Sequence, residues 1–288
     1  MKGNRGIFYM VLATVFFALM NVLVKYIPRI GAVEIVFFRS VVSLVMSYAI
    51  LRQKRVSVWG NNKKWLIIRG IAGSTGLLFF FATIKMMPLG SAIAIQYMSP
   101  VFTSLLGVFI AKEKVKPLQW LFFAMAFAGV VAIQGFDPRV TPGQVVLGVA
   151  GAMAAGMAYN SIRKLKTSDH PLVIIFYFPL ITIPVTGLIL LTGHWRTPNS
   201  TELLILLAIG VATQFAQYFM TKAYQSDVLS KIAPIQYIGI VFALGFGYFL
   251  FDETYDFKSG LGIMIIILGV ILNVWYKNRA DKFDNYAK

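Results

Sequence analysis

The polar residues that interrupt long apolar runs are where this chain can do chemistry, because a polar side chain in a hydrocarbon interior costs energy unless it is paired, bundled or wetted. Two of them recur in one setting: Ile95-Gln96-Tyr97 and, 140 positions later, Ile235-Gln236-Tyr237. An amide both donates and accepts, and a phenol adds an apolar face with a polar tip. Gln96, Tyr97, Gln236 and Tyr237 therefore suit a zwitterion or a planar solute. The same groups also bond across packed helices, and both roles stand open at this level. Asn21 and Asn160 make a second matched pair, with Tyr159 beside the latter. Gln214, Gln217 and Tyr218 follow at helical spacing, Gln214 and Tyr218 on one face. Packing against a neighbouring helix explains that stripe as well as a pore lining does. Among cations, Arg39 lies several residues inside an apolar run and Lys222 near the end of another, so these two can grip a carboxylate or phosphate. Lys222 can equally snorkel to the headgroups. Glu34, five residues before Arg39, is turned from it by about 140° on a helix and is an imperfect partner.

Catalytic chemistry finds little equipment. His170 and His194 are the only histidines, both outside the apolar runs, and cysteine is absent. No nucleophile–base pair, paired carboxylate or metal-ligand spacing occurs inside a run. Neither enzyme activity, nor a metal, nor a cofactor is expected. The 11 acidic residues all fall in loops, tails or at run ends. Since proton-driven carriers often use an intramembrane carboxylate, facilitated diffusion or exchange is predicted, or coupling through an interfacial group such as Glu34.

The elements that must position these residues are membrane helices. Hydrophobic residues make up 58% of the 288 and charged ones 13%, whereas a soluble domain carries roughly 25% charge. A bilayer core takes about 20 apolar residues per helix. Ten segments qualify: Gly6 to Tyr26, Val33 to Leu51, Lys64 to Met86, Leu89 to Ala111, Leu118 to Phe136, Gly143 to Ile162, Pro171 to Thr192, Glu202 to Tyr224, Ser230 to Phe251 and Phe257 to Tyr276. The first lacks a convincing small-residue cleavage site and reads as a retained helix.

A net charge of +16 raises nucleic acid as a partner, but the distribution speaks against it. With the N-terminus inside, 20 of the 27 basic residues fall on the cytoplasmic side, six outside, and Arg39 within a span. That is the asymmetry of the positive-inside rule. The cytoplasmic set includes Arg52, Lys54, Arg55, Lys63, Lys64 and Arg69. Both termini are therefore expected in the cytoplasm of a multi-pass inner-membrane protein, with the bilayer and a small solute as partners, as a monomer or homodimer.

The chain is also a duplication. Phe79 to Ala132 laid on Phe219 to Leu272 gives 13 identities in 54 pairs, where composition alone gives on the order of four or five. A shift of 139 extends the match backwards through Asn21 with Asn160 and Lys25 with Lys164. Residues 1–136 and 143–276 form five-helix repeats, with 277–288 as a basic cytoplasmic tail. An odd number of helices inverts the second repeat, an arrangement that lets secondary transporters expose a midplane site to either side.

Two stretches resemble the EamA domain of the drug/metabolite transporter superfamily. One runs from Lys85-Met86-Met87-Pro88-Leu89 through Ser99-Pro100-Val101-Phe102, Gly107 and Lys112-Glu113-Lys114 to Gly129-Val130. The other runs from Thr221-Lys222-Ala223-Tyr224 through Ala233-Pro234-Ile235-Gln236-Tyr237, Gly247 and Phe251-Asp252-Glu253 to Gly269-Val270. Phe38-Arg39 resembles the family's aromatic-arginine pair, and the likeness covers essentially the whole chain. It implies ten helices, cytoplasmic termini and transport of amino acids, drugs or other metabolites. Ile240 stands where many members carry a proline matching Pro100, which leaves the substrate branch open. Amino acids or related zwitterions lead on family grounds. Organic anions or nucleoside-like metabolites such as S-adenosylmethionine come next, and a channel or scramblase is the other use of the scaffold.

Overall fold

Apolar runs this long can satisfy their backbone groups in lipid only by coiling into helices. The computed structural model describes residues 5–110, 117–226, 235–236 and 238–286, and among the described residues there is no strand. The helices are α1 (Arg5–Tyr26), α2 (Ala32–Gln53), α3 (Lys63–Met86), α4 (Leu89–Gln96), α5 (Ser99–Ile110), α6 (Pro117–Phe136), α7 (Pro142–Leu165), α8 (Pro171–Ile189), α9 (Ser200–Ser226), α10 (Ile238–Phe251) and α11 (Phe257–Tyr286).

Taking Leu89–Ile110 as one unit, seven helices among the described residues are long and apolar enough to cross a membrane. Shorter apolar pieces occupy Pro117–Ala132, Ile238–Phe251 and Gly260–Asn273. The fifth and tenth expected spans fall within α6 and α11, helices of 20 and 30 residues. Part of the ninth, Ser230 to Phe251, lies outside the described residues.

The expected fourth span is two helices. Tyr97 N–H still reaches Ile93 O at 3.0 Å, but Met98 N–H turns to Ile95 O and Val101 N–H to Met98 O. Pro100 explains the break: it has no N–H to give, and its ring crowds the carbonyl four residues back, that of Gln96. Pro179 and Pro184 lie inside α8 without ending it. That helix closes on a wider turn over Leu190–His194, where Gly193 supplies φ 96°. At the far end α11 runs to Tyr286, ten residues past the expected boundary, because charged residues continue a started helix at little cost.

The most extensive helix pairs have repeat-related images. α1 packs on α9 and α3 on α7, α2 meets α8, α6 meets α11, and α2·α9 mirrors α3·α8. Individual bonds repeat the rule. Ser43 Oγ donates to Gln214 Oε1 at 2.5 Å, and Ser74 bonds Thr182 at 2.5 Å; Ser43 corresponds to Thr182 and Gln214 to Ser74. In α6 and α11, a Cβ on Gly129 would stand 2.7 Å from Ile266 N and 2.8 Å from Gly262 O. One on Gly269 would stand 2.8 Å from Ala126 N and 2.9 Å from Phe122 O. Those partners are again repeat mates, so a local two-fold relates the halves.

Polar contacts close the end of the bundle where α1 and α3 finish. Lys25 pairs with Glu253, whose other oxygen accepts from Leu89 N–H and from the Tyr255 hydroxyl, both at 2.8 Å. Gly90 N–H donates to Tyr255 Oη at 2.9 Å, and Lys85 donates to Ile27 O at 2.6 Å. Glu253, expected in an exposed acidic loop, is drawn in to 7% exposure. Burial of this charge is tolerated because a cation and two further donors reach it.

Candidate functional site

Between the two halves lies a cavity of about 930 Å³ including the part continuous with solvent. α1 supplies Met10, Thr14 and Asn21; α2 supplies Arg39; α3 supplies Arg69, Gly73 and Gly76. Gln96 and Tyr97 enter from the break after α4, Tyr159 from α7, Phe178 from α8, Gln217 and Met220 from α9, and Gln236 from the segment before α10. Helix ends and breaks are where a bundle can point polar atoms into its centre.

The sequence-nominated residues divide. Gln96, Tyr97, Gln236, Asn21, Tyr159, Gln217 and Arg39 lie on the lining. Tyr97 donates its hydroxyl to the Gln236 carbonyl, so each repeat's glutamine segment is tied to the other's. Gln236 Nε2 also reaches Met10 Sδ at 3.6 Å. Asn160, Gln214, Tyr218 and Lys222 stand off the lining. Asn160 donates to Thr103 O at 2.9 Å and Gly156 O at 3.1 Å. Gln214 accepts from Ser43 and donates to Ser47 Oγ at 2.9 Å, which fills the needs of an amide inside a helix interface. Tyr218 packs against the cluster around Leu172 and Phe176, and the Lys222 ammonium lies over its ring at 5.9 Å. Tyr237 lies outside the described residues.

Because Gln214 bridges two buried serines, Gln214→Leu is expected to lower stability by about 1–3 kcal/mol through unsatisfied hydroxyls. Solute affinity should stay within two-fold, roughly the scatter of a remote change. Thermal unfolding and solute titration of the purified variant check both; a large loss of affinity at unchanged stability would return Gln214 to the site.

The electrostatic centre is a residue that sequence reasoning placed elsewhere. Arg69, counted with the cytoplasmic loop charges, is 4% exposed and faces the cavity with Arg39, itself 1% exposed. Both guanidinium carbons stack on one ring, 5.2 Å (Arg39) and 5.0 Å (Arg69) from the Phe178 centroid. Arg39 also lies 5.9 Å from Phe81. Gly73, one turn after Arg69, leaves the room its guanidinium fills, since a Cβ there would collide with it.

No acidic residue lines the cavity among the described residues. Glu34, an imperfect partner for Arg39 by helical geometry, accepts from Arg196 N–H at 3.1 Å and does not bond Arg39. The 140° turn between positions five apart is the reason. Four buried atoms on this lining have no hydrogen-bond partner: Arg39 Nε and Nη2, Arg69 Nε and Asn21 Oδ1. A buried polar group left without a partner costs about 1–3 kcal/mol, more when charged.

The chain matches the EamA-like transporter family twice, over residues 4–134 and 143–275. It is 30% identical over 271 residues to the pseudopaline exporter of Pseudomonas aeruginosa, covering 93% of this chain and 95% of that protein. The S-adenosylmethionine uptake transporter of Rickettsia prowazekii is 23% identical over 278 residues, covering 96% of this chain and 94% of that one. Solute carrier family 35 member G1 of Homo sapiens is 26% identical over 295 residues, covering 95% and 80%. A solved crystal structure shares the fold at a TM-score of 0.66 and 16% identity, covering 93% of this chain and 96% of that one.

Proposed function

The chain belongs to the EamA-like transporter family, and from that premise we propose that this multi-pass membrane transporter is a secondary carrier of a small organic metabolite, an amino acid or related zwitterion. It works by alternating access between two inverted five-helix repeats, ten spans in all, with both termini in the cytoplasm. The observation that carries this reading is the lining itself. Repeat-matched Gln96 and Gln236 enter one cavity from opposite halves, at the break after α4 and just before α10. The distribution of basic residues supports the orientation, and this reading takes the three shorter apolar pieces as further spans.

One end of the bundle is bonded shut around Lys25 and Glu253, while the cavity lies toward the end where α1 and α3 begin and α7 and α9 finish. A cavity set away from an end that polar contacts close fits alternating access. Of the similar transporters, one exports pseudopaline and another takes up S-adenosylmethionine, both small metabolites. Direction follows the gradient.

Counterflow in proteoliposomes, with solutes chosen by a thermal-shift screen, tests the reading. Saturable exchange is expected, and Gln96→Ala and Gln236→Ala should each weaken solute affinity by about ten-fold, the value of one good hydrogen bond to a polar solute. Full affinity in both variants would remove the glutamines from the site. Conductance that never saturates would make the protein a channel.

A further inference from the structure

Among the described residues, no carboxylate lies on the cavity wall beside its two arginines. Arg39 and Arg69 are buried, share the Phe178 ring, and present Nε and Nη2 of the first and Nε of the second without a hydrogen-bond partner. No carboxylate stands among the described lining residues. A guanidinium only donates, and its fork fits a carboxylate through two parallel bonds. One carboxylate would satisfy one fork and leave the second cation in a low-dielectric interior uncompensated. Pairing both forks requires a second carboxylate on the same solute.

Resting on the carrier reading above, we propose that the transported solute belongs to the dicarboxylate class, an acidic amino acid or a close derivative. Its two carboxylates are taken by Arg39 and Arg69, and its polar remainder by the Asn21 amide. The arrangement is built for this purpose in two respects. The bare Cα of Gly73 gives the Arg69 guanidinium its berth. The Phe178 ring holds both guanidinium planes by cation–π contact, which fixes them without consuming their N–H groups. S-adenosylmethionine, with a single carboxylate, would leave one of the two forks unpaired.

The test compares acids with their size-matched amides on the purified full-length protein. L-glutamate and glutarate are titrated by calorimetry and thermal shift, against L-glutamine, glutaramide and inorganic phosphate. At least one dicarboxylate should bind saturably, and its matched amide should bind at least ten-fold more weakly. Arg39→Gln and Arg69→Gln should each cost ten-fold or more for the acid while the binding of the amide changes little. Arg39→Lys, keeping the charge without the fork, should fall between. The acid–amide comparison on the wild type needs no variant to fold.

Amides binding as tightly as acids would overturn the proposal, as would phosphate outbinding both dicarboxylates or neither dicarboxylate binding. Saturable counterflow of an uncharged solute, unchanged in Arg39→Gln, would also overturn it while leaving the carrier standing. Absence of saturable flux for every solute would remove the carrier and this inference together.

Discussion

Leucine at both Gly129 and Gly269 is expected to keep α6 from meeting α11 and to leave a protein that does not purify as a single species. Helices in lipid gain nothing from excluding water from each other and associate through close van der Waals approach, which small residues permit. Here the approach is backbone to backbone. The Cβ of either substitution would stand under 3 Å from a main-chain nitrogen and a main-chain oxygen of the facing helix. No side chain can rotate away to make room, so the helices must separate. Overpacking costs about 1–3 kcal/mol per site, and two such sites on one interface consume a large share of a total stability of about 5–15 kcal/mol. A fall in melting temperature of about 10 °C or more is expected in the double variant, read by size-exclusion chromatography after graded heating. The single variants should fall by similar amounts, because the two glycines are repeat mates. Gly245→Leu is the control, since a Cβ there meets nothing within 4 Å. A double variant that melts with the wild type would mean that α6 and α11 are not packed this closely.

The repeat that underlies this prediction is legible in the sequence, because a duplicated unit keeps matched residues wherever the two copies still do the same work. Gly129 with Gly269 and Gln96 with Gln236 survive for that reason. The site departs from symmetry where function asks for something only one copy can supply. The repeat counterpart of Arg39 is Phe178, and the two lie against each other near the two-fold. That contact is invisible to an alignment of the halves, which scores the position as a mismatch.

Arg69 escaped for another reason. A charge count by loop treats a cation one or two turns inside a span as a headgroup ligand, and most such cations are. Only the neighbours in space, Phe178 from α8 and the vacant side of Gly73, turn this one inward. Asn160 and Gln214 failed in the opposite direction. An amide on an apolar helix reads the same whether a serine hydroxyl or a cavity faces it, and the facing residues, Ser43 and Ser47 for Gln214, come from a helix more than 160 positions away. The break at Tyr97 was signalled by Pro100, yet proline inside α8 leaves its helix whole. Sequence alone does not separate a proline that bends from one that ends.

Removing the charge from Glu253 is expected to open the end of the bundle that Lys25 and Glu253 now close. On the proposed alternating-access cycle this network must break once per turnover, so its strength sets the balance between the two faces. Lys25 and Glu253 keep 18% and 8% side-chain exposure. Breaking the pair from one side strands the partner charge among apolar neighbours, at a cost of about 3 kcal/mol to the closed form, the low end for a buried pair. That shifts the open-to-closed ratio by roughly 100-fold.

The chain has no cysteine, so a single thiol reports without background. Leu244, whose Cδ2 would lie 2.6 Å from a Cβ on Gly90, packs against the glycine whose N–H joins the network through Tyr255. Its Leu244→Cys variant should react slowly with a membrane-impermeant maleimide in the wild-type background. In Glu253→Gln it should react up to about 100-fold faster. Lys25→Met should act in the same direction. The double variant Lys25→Met/Glu253→Leu should recover part of the protection, because no charge is then left unpaired. Lys164, the repeat counterpart of Lys25, is exposed at the opposite end, and Lys164→Met should leave the Leu244→Cys rate unchanged. Equal labelling in Glu253→Gln and wild type would show that the apolar packing around Leu89 and Leu244, and not the ion pair, holds this face closed.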